Sequence, residues 1–266
     1  MLQLEKKKER VFYLESQFSR LELMIGKEGL KKLKGSKVAV FGLGGVGSYV
    51  AEALARSAVG ELILIDGDAY EPSNLNRQLY ADMDTLGRFK AEAARERILK
   101  INPDCRVTAC NTFFTPETSR YFDFDYDYIA DAIDSVTDKI ALIERAYIEN
   151  VPIISSMGTG NKMNPTELEV ADLKDTSMCP LARVMRKELR KRNIESLKVV
   201  YSKEKPLPTR EDVTVYDEEK TGLCTGNCPD SPGTGHKRLP PGSNAFVPPA
   251  AGLIMAGEIV KALLIK

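Results

Sequence analysis

One stretch constrains this chain more than any other: Val38-Ala39-Val40-Phe41-Gly42-Leu43-Gly44-Gly45-Val46-Gly47-Ser48. Val38 to Phe41 is a short apolar run, suited to a central parallel strand covered on both faces. Gly42, Gly44 and Gly47 follow the spacing G-x-G-x-x-G, with Gly45 between them. A turn of this kind must reverse tightly and let backbone N–H groups approach an anion, and a Cβ would block that approach. The spacing then predicts a helix over about Val46 to Ser57, its positive end aimed at the anion. A second apolar run, Glu61-Leu62-Ile63-Leu64-Ile65, ends at Asp66, where a ribose-binding carboxylate is expected. The fingerprint alone could be a structural turn. With two strands, a helix and the placed Asp66 it predicts a nucleotide site, for a dinucleotide or for ATP.

The chain has 266 residues, 43% of them hydrophobic, enough for one large α/β unit that needs no metal or disulfide to fold. Its 38 basic and 38 acidic residues cancel, so no global field attracts a polyanion and any nucleic-acid contact must use a local patch. Cys105, Cys110, Cys179, Cys224 and Cys228 lack secreted-type spacing, which points to a reducing, cytoplasmic setting. The charged run Glu5 to Arg10 does not read as a signal peptide. Ala245 to Ile265 is apolar but interrupted by Pro248, Pro249, Glu258 and Lys261, so it reads as a buried closing helix and not as a membrane span.

Residues 1–35 read as a helical arm, with Phe12, Leu14 and Phe18 on one apolar face and Leu21 to Leu33 on another. Arg20 reads locally as a solvated helix charge. Beyond Asp66 comes a polar, turn-prone segment, Glu71-Pro72-Ser73-Asn74-Leu75-Asn76-Arg77-Gln78, at a strand's C-terminal end, where α/β sheets place ligands. Arg77 offers a planar fork of donors to phosphate, and Asn74 can bond ribose or phosphate. A helix is predicted from Gly87 to Ile101, stopped by Asn102-Pro103, with Lys90 in its first turn able to reach the same phosphates. Tyr126 to Ile133 reads as a strand leading to Asp134. That carboxylate could hold Mg²⁺, or could be the N-cap of the next helix, as could Ser135. Val151 to Ser156 is the next expected strand.

After Pro165 the pattern changes. Glu167–Leu173 and Leu197–Ser202 read as strands around a basic helix that begins near Pro180. Leu181, Val184, Met185 and Leu189 are expected to face inward. Arg183, Arg186, Lys187 and Arg190 crowd the other side with Lys191 and Arg192, as a solvated face or a phosphate-backbone contact. Residues 203–244 read as a long loop, a candidate substrate lid, containing His236, Cys224 and Cys228. The C-x-x-x-C spacing is not that of a structural zinc site. The fold expected is one doubly wound, Rossmann-like α/β unit with a mainly parallel sheet over 1–266. It comprises an arm (1–35), a nucleotide-binding core (36–160) and a C-terminal strand/helix extension (161–266).

The succession of the glycine loop, Asp66-Gly67-Asp68, Ser73 to Gln78, Lys90 and Asp131-Ala132-Ile133-Asp134 resembles the adenylating enzymes related to ubiquitin-activating enzyme and the bacterial ThiF and MoeB proteins. The resemblance implies binding of ATP and Mg²⁺, adenylation of a carboxylate and release of pyrophosphate. It implies that Gly42, Gly44, Gly45 and Gly47 cradle the nucleotide and that Asp66 binds ribose. Asn74, Arg77 and Lys90 would hold phosphates, and Asp134 the Mg²⁺. Arg20 matches an arginine that reaches across a homodimer to the partner subunit's ATP. The segments Cys179 to Arg192 and Pro241 to Ala256 narrow the likeness to the branch acting on tRNA that carries threonylcarbamoyladenosine, which dehydrates that nucleoside to a cyclic form. Activation of a ubiquitin-like sulfur carrier, with a sulfur-relay protein partner and a reactive Cys179, Cys224 or Cys228, is the nearest competing reading. An NAD-binding oxidoreductase would leave Arg77, Lys90 and Asp134 without roles.

Overall fold

The computed structural model describes residues 16–208 and 241–265. These contain one seven-stranded sheet built from β1 (Lys37–Phe41), β2 (Glu61–Ile65), β3 (Arg106–Cys110), β4 (Tyr128–Asp131), β5 (Ile153–Ser156), β6 (Leu168–Asp172) and β7 (Lys198–Ser202). The spatial order is β3-β2-β1-β4-β5-β7-β6. All neighbours run parallel except β6, which closes one edge antiparallel to β7. The chain steps outward from β1 through β2 to β3, then returns to lay β4 on the other side of β1. That reversal opens a crevice at the C-terminal ends of β1 and β4.

The helices are α1 (Ser19–Gly35), α2 (Gly47–Arg56), α3 (Lys90–Ile101), α4 (Val136–Ile148), α5 (Pro180–Arg190) and α6 (Val247–Ile265). They cover both faces of the sheet. Val38 and Val40 of β1 pack with α2, α3 and α6, while Ala39 and Phe41 pack with Leu142 and Ala146 of α4. Burial on both sides is why the strand sequences are continuously apolar instead of alternating. Phe41 also meets Phe114 edge-on, with centroids 5.2 Å apart, so an aromatic cluster supports the crevice from below.

Helix α6 is long and apolar enough to cross a membrane by length and composition, with mean hydropathy 1.5. In the fold it packs on α2 and the sheet, and Val247, Ala251, Met255, Ile259 and Leu263, spaced four apart, are buried. It is the closing helix that the sequence predicts.

Several boundaries and faces differ from expectation. Helix α1 is kinked at Gly26, whose φ of 73° and ψ of 174° are not helical; Phe18 is buried just before the helix, and Leu30 and Leu33 are buried after the kink. Phe12 and Leu14 lie outside the described residues. Helix α3 begins at Lys90, not at Gly87. Gly87 has a left-handed φ of 78°, and Phe89 is held extended by a bridge to Ala69. Val184, expected inside, is 44% exposed, because α5 buries the narrower stripe Ala182, Met185 and Leu189. The ends of the predicted 203–244 loop are tied at one residue: Leu207 N–H donates to the Asn161 carbonyl, and Asn161 N–H donates to the Gly242 carbonyl. Most of that loop, with His236, Cys224 and Cys228, lies outside the described residues.

Because Ile259 is wholly buried where α6 meets the sheet, Ile259→Ala should cost about 2–5 kcal/mol. Urea unfolding should show a lower midpoint at unchanged slope. A loss below about 1 kcal/mol would mean that α6 does not anchor this core.

Candidate active site

A cavity of about 590 Å³ occupies the crevice. Its floor is the glycine turn. Gly42 has a φ of 84°, and a Cβ there would lie 2.6 Å from the Ala132 carbonyl oxygen. A Cβ on Gly47 would lie 1.8 Å from the Gly42 carbonyl oxygen, so only hydrogen lets α2 start this close to β1. Gly44 is different, since its Cβ would meet nothing nearer than Gln78 Nε2 at 3.8 Å. A side chain there would enter the space a ligand would take.

Asp66 braces this turn. Its Oδ2 accepts the Leu43 N–H at 2.6 Å and its Oδ1 accepts the Asp68 N–H at 2.8 Å. Burial pushes its carboxyl above the ordinary aspartate range, against the opposing pull of Lys90 and the two amides. The carboxylate thus fixes the loop and lines the cavity at once.

Lys90 stands at the first turn of α3, almost wholly buried, with Nζ 2.7 Å from Asp68 Oδ2. Its backbone N–H also donates to the Asp68 carbonyl, at 2.9 Å. The extended approach of residues 87–90 to 68–70, not a helix start at 87, is what aims this lysine into the cavity. Asn74 is buried in a short 3-10 turn (Pro72–Asn74) and accepts the Glu71 N–H at 3.2 Å. Arg77 uses Nη1 on the Ser73 carbonyl at 2.8 Å and on Asn76 Oδ1 at 3.0 Å, and its other two nitrogens make no hydrogen bond among the described residues. Gln78, which has no role in the sequence reading, also lines the cavity, and its Oε1 is buried with no hydrogen-bond partner among the described residues.

Asp134 follows β4 and lines the same cavity. The N-cap of α4 is Ser135, which accepts the Asp138 N–H at 3.4 Å, so Asp134 has no capping duty. It is exposed and makes no hydrogen bond or ion pair among the described residues. No group of three or more His, Cys, Asp or Glu side chains able to hold a metal occurs among those residues. Asp134 and Asp138 both line this cavity, and Mg²⁺ takes one or two carboxylates together with substrate phosphates and waters, so the residues present fit it.

Two predicted groups lie apart from the cavity. Arg20 is exposed in the first turn of α1 and does not line it. On α5 the basic residues divide into two classes. Arg186 Nη1 donates to the carbonyls of Thr176 (2.8 Å), Lys174 (3.1 Å) and Leu173 (3.2 Å), so this guanidinium ties α5 to the preceding turn instead of facing solvent as expected. Arg183, Lys187 and Arg190 are exposed, make no ion pair among the described residues and recur at helical spacing on one side. Leu181, at the start of the same helix, lines the cavity. Cys179 caps that helix and is buried, as is Cys105.

The ThiF family model matches residues 16–266. The chain is 46% identical over 250 residues to the tRNA threonylcarbamoyladenosine dehydratase of Bacillus subtilis (strain 168), spanning 93% of this chain and 94% of that one. Among solved structures, the E. coli tRNA N6-threonylcarbamoyladenosine dehydratase is similar both in complex with ATP (TM-score 0.77, 31% identity) and in complex with AMP (TM-score 0.78, 30% identity). Each comparison covers 94% of both chains.

Two glycines of the turn should separate folding from binding. Gly47→Ala forces a carbon onto the Gly42 carbonyl and should destabilise the protein by more than about 2 kcal/mol. Gly44→Ala meets open space and should leave the thermal transition within about 0.5 kcal/mol of the parent while weakening nucleotide binding. Equal stability losses in both variants would contradict this division.

Proposed function

The chain belongs to the ThiF family, and from that membership we propose that it is an ATP-dependent adenylating enzyme that dehydrates threonylcarbamoyladenosine in tRNA to its cyclic form. One observation carries this reading. Gly44, Asp66, Arg77, Lys90 and Asp134 line a single cavity in a chain that matches a dehydratase of this type across nearly its whole length.

In this reading the glycine loop presents backbone N–H groups to phosphate oxygens at the start of α2, and Asp66 receives the ribose hydroxyls. Arg77 and Lys90 hold the phosphates, Lys90 exchanging some of its contact with Asp68 for the nucleotide. Asn74 supports Arg77 within the same turn. Asp134 would hold Mg²⁺, which supplies positive charge where the leaving pyrophosphate develops its negative charge. The threonyl carboxylate attacks the α-phosphorus, and the bond to pyrophosphate breaks. The acyl-adenylate then closes onto the carbamoyl part of the same nucleoside, releasing AMP with the former carboxylate oxygen. The closure is intramolecular, so proximity can supply much of its rate and no enzyme thiol is required.

The exposed stripe Arg183, Lys187 and Arg190 would carry the RNA backbone. It runs along α5 from the cavity-lining Leu181, so a strand lying on it can deliver one nucleoside to the cavity. Arg20 would act across a homodimer, in the partner subunit's site.

AMP and pyrophosphate should be released from ATP·Mg²⁺ with tRNA carrying threonylcarbamoyladenosine and not with unmodified tRNA, the nucleoside losing one water by mass. Turnover that ignores the modification, or none at all, would overturn the reading. Asp134→Ala should fold normally and lose at least ~100-fold in rate, the scale of a lost metal contact in the transition state.

The Lys187→Glu/Arg190→Glu pair should weaken tRNA binding roughly tenfold and flatten its dependence on salt by about 1.4 in log–log slope, as expected for two lost single-strand phosphate contacts. ATP binding should not change. An unaltered salt slope would remove α5 from the RNA interface.

A further inference from the structure

Behind the cavity three polar side chains with no role above are wholly buried together. Asp131 ends β4, Lys139 lies in α4, Ser155 lies in β5, and each is 0% exposed. Lys139 Nζ is 2.9 Å from Asp131 Oδ2 and 3.2 Å from Ser155 Oγ, and Ser155 Oγ donates to Asp131 Oδ2 at 2.6 Å. The other carboxylate oxygen, Oδ1, accepts the backbone N–H of Ile133 at 3.1 Å. That residue immediately precedes Asp134.

A buried ion pair is seldom the most stabilising way to fill such a space, because apolar residues of similar volume avoid its desolvation cost. Here the pair has a geometric consequence. The chain must pass from β4 to α4 within residues 132–135, and this turn lies against the glycine loop. Ala132 N–H donates to the Phe41 carbonyl at 2.8 Å, and the Ala132 carbonyl takes the place where Gly42 would carry a Cβ. We propose that Asp131, Lys139 and Ser155 form a positioning device that fixes the β4–α4 turn so that the Asp134 carboxylate meets the metal on the bound nucleotide. Lys139 and Ser155 lock Asp131, Asp131 locks the Ile133 N–H, and the Ser135 cap holds the far end of the turn. The proposal rests on the reading of Asp134 as the metal ligand.

The test is nucleotide binding by calorimetry with and without Mg²⁺, alongside thermal unfolding. Asp131→Leu/Lys139→Met removes both charges and the tie to Ile133 without leaving one charge unpaired. It should retain the parent thermal transition and bind ATP normally without Mg²⁺. The gain in affinity on adding Mg²⁺ should fall at least ~10-fold, the usual scale for removing a support behind a metal ligand. Ser155→Ala, which creates no charge imbalance, should lower the same gain by about 3-fold, one hydrogen bond's worth. It decides the matter if the double variant does not fold. A folded double variant, or Ser155→Ala, with the parent Mg²⁺ gain would overturn the positioning role. Asp134→Ala separates the two claims, since it should abolish the gain. If it does not, the metal reading fails and the positioning role falls with it; if it does while the double variant keeps the gain, only the positioning role is lost.

Discussion

The close approach of two backbones at the switch point, with room for no side chain, underlies the rest of the site. The Gly42 position lies against the Ala132 carbonyl, and the Gly47 position lies against Gly42 itself. These contacts put the ends of β1 and β4 and the start of α2 within one small region. A substituent at either glycine would push those elements apart, and with them the cavity walls that carry Gly44 and Asp134. The strand order makes the crevice, and the two glycines bring its walls close enough to serve one nucleotide.

The sheet pays for this arrangement at one end only. Past the charged residues Lys37 and Glu61 at their starts, which pair with each other at the edge, the central strands β1 and β2 are apolar and buried. At their C-terminal ends the residues turn polar while staying buried: Asp66 after β2, Asp131 in β4, Ser155 and Ser156 in β5. Asp66 shows the resulting tension, since burial disfavours its charge while two backbone amides and Lys90 favour it. That carboxylate also shapes its own loop, through the Leu43 and Asp68 N–H groups. Lys90 is likewise committed to Asp68, and Arg77 to the Ser73 carbonyl. Each of these charged groups is therefore fixed by local partners, which sets where its charge stands around the cavity.

The legible part of the fold was local. Apolar runs gave β1, β2, β4 and β5 within a residue or two, and the glycine spacing located the turn because its chemistry admits few other residues. The site residues that could be read were those lying near such a strand end. What could not be read was long-range. Asp68 gains meaning only because the bridge between Ala69 and Phe89 brings Lys90 back to it. Lys139 is an unremarkable lysine in a helix until the fold buries it against Asp131 and Ser155, sixteen residues further on. Gln78 adjoins Arg77 in sequence, but the burial of its oxygen, without a partner among the described residues, is a property of the packed cavity.

The same limit explains α5. Its sequence shows a crowd of cations on a helix, and charge patterning alone treats them as one face. The fold separates them by rotation. Arg186 turns back to close the carbonyls of residues 173–176, which lets the short turn before Cys179 stay compact beside the cavity. Arg183, Lys187 and Arg190 are left on the other side, without an ion pair among the described residues, and Lys191 and Arg192 are drawn off to Glu188 and Glu144. One arginine thus fixes the pose of the helix so that the remaining three can offer their charge in a fixed direction from the cavity mouth. A neutral protein has no field to orient a polyanion at long range. A rigidly held local stripe is the arrangement that can orient one on contact.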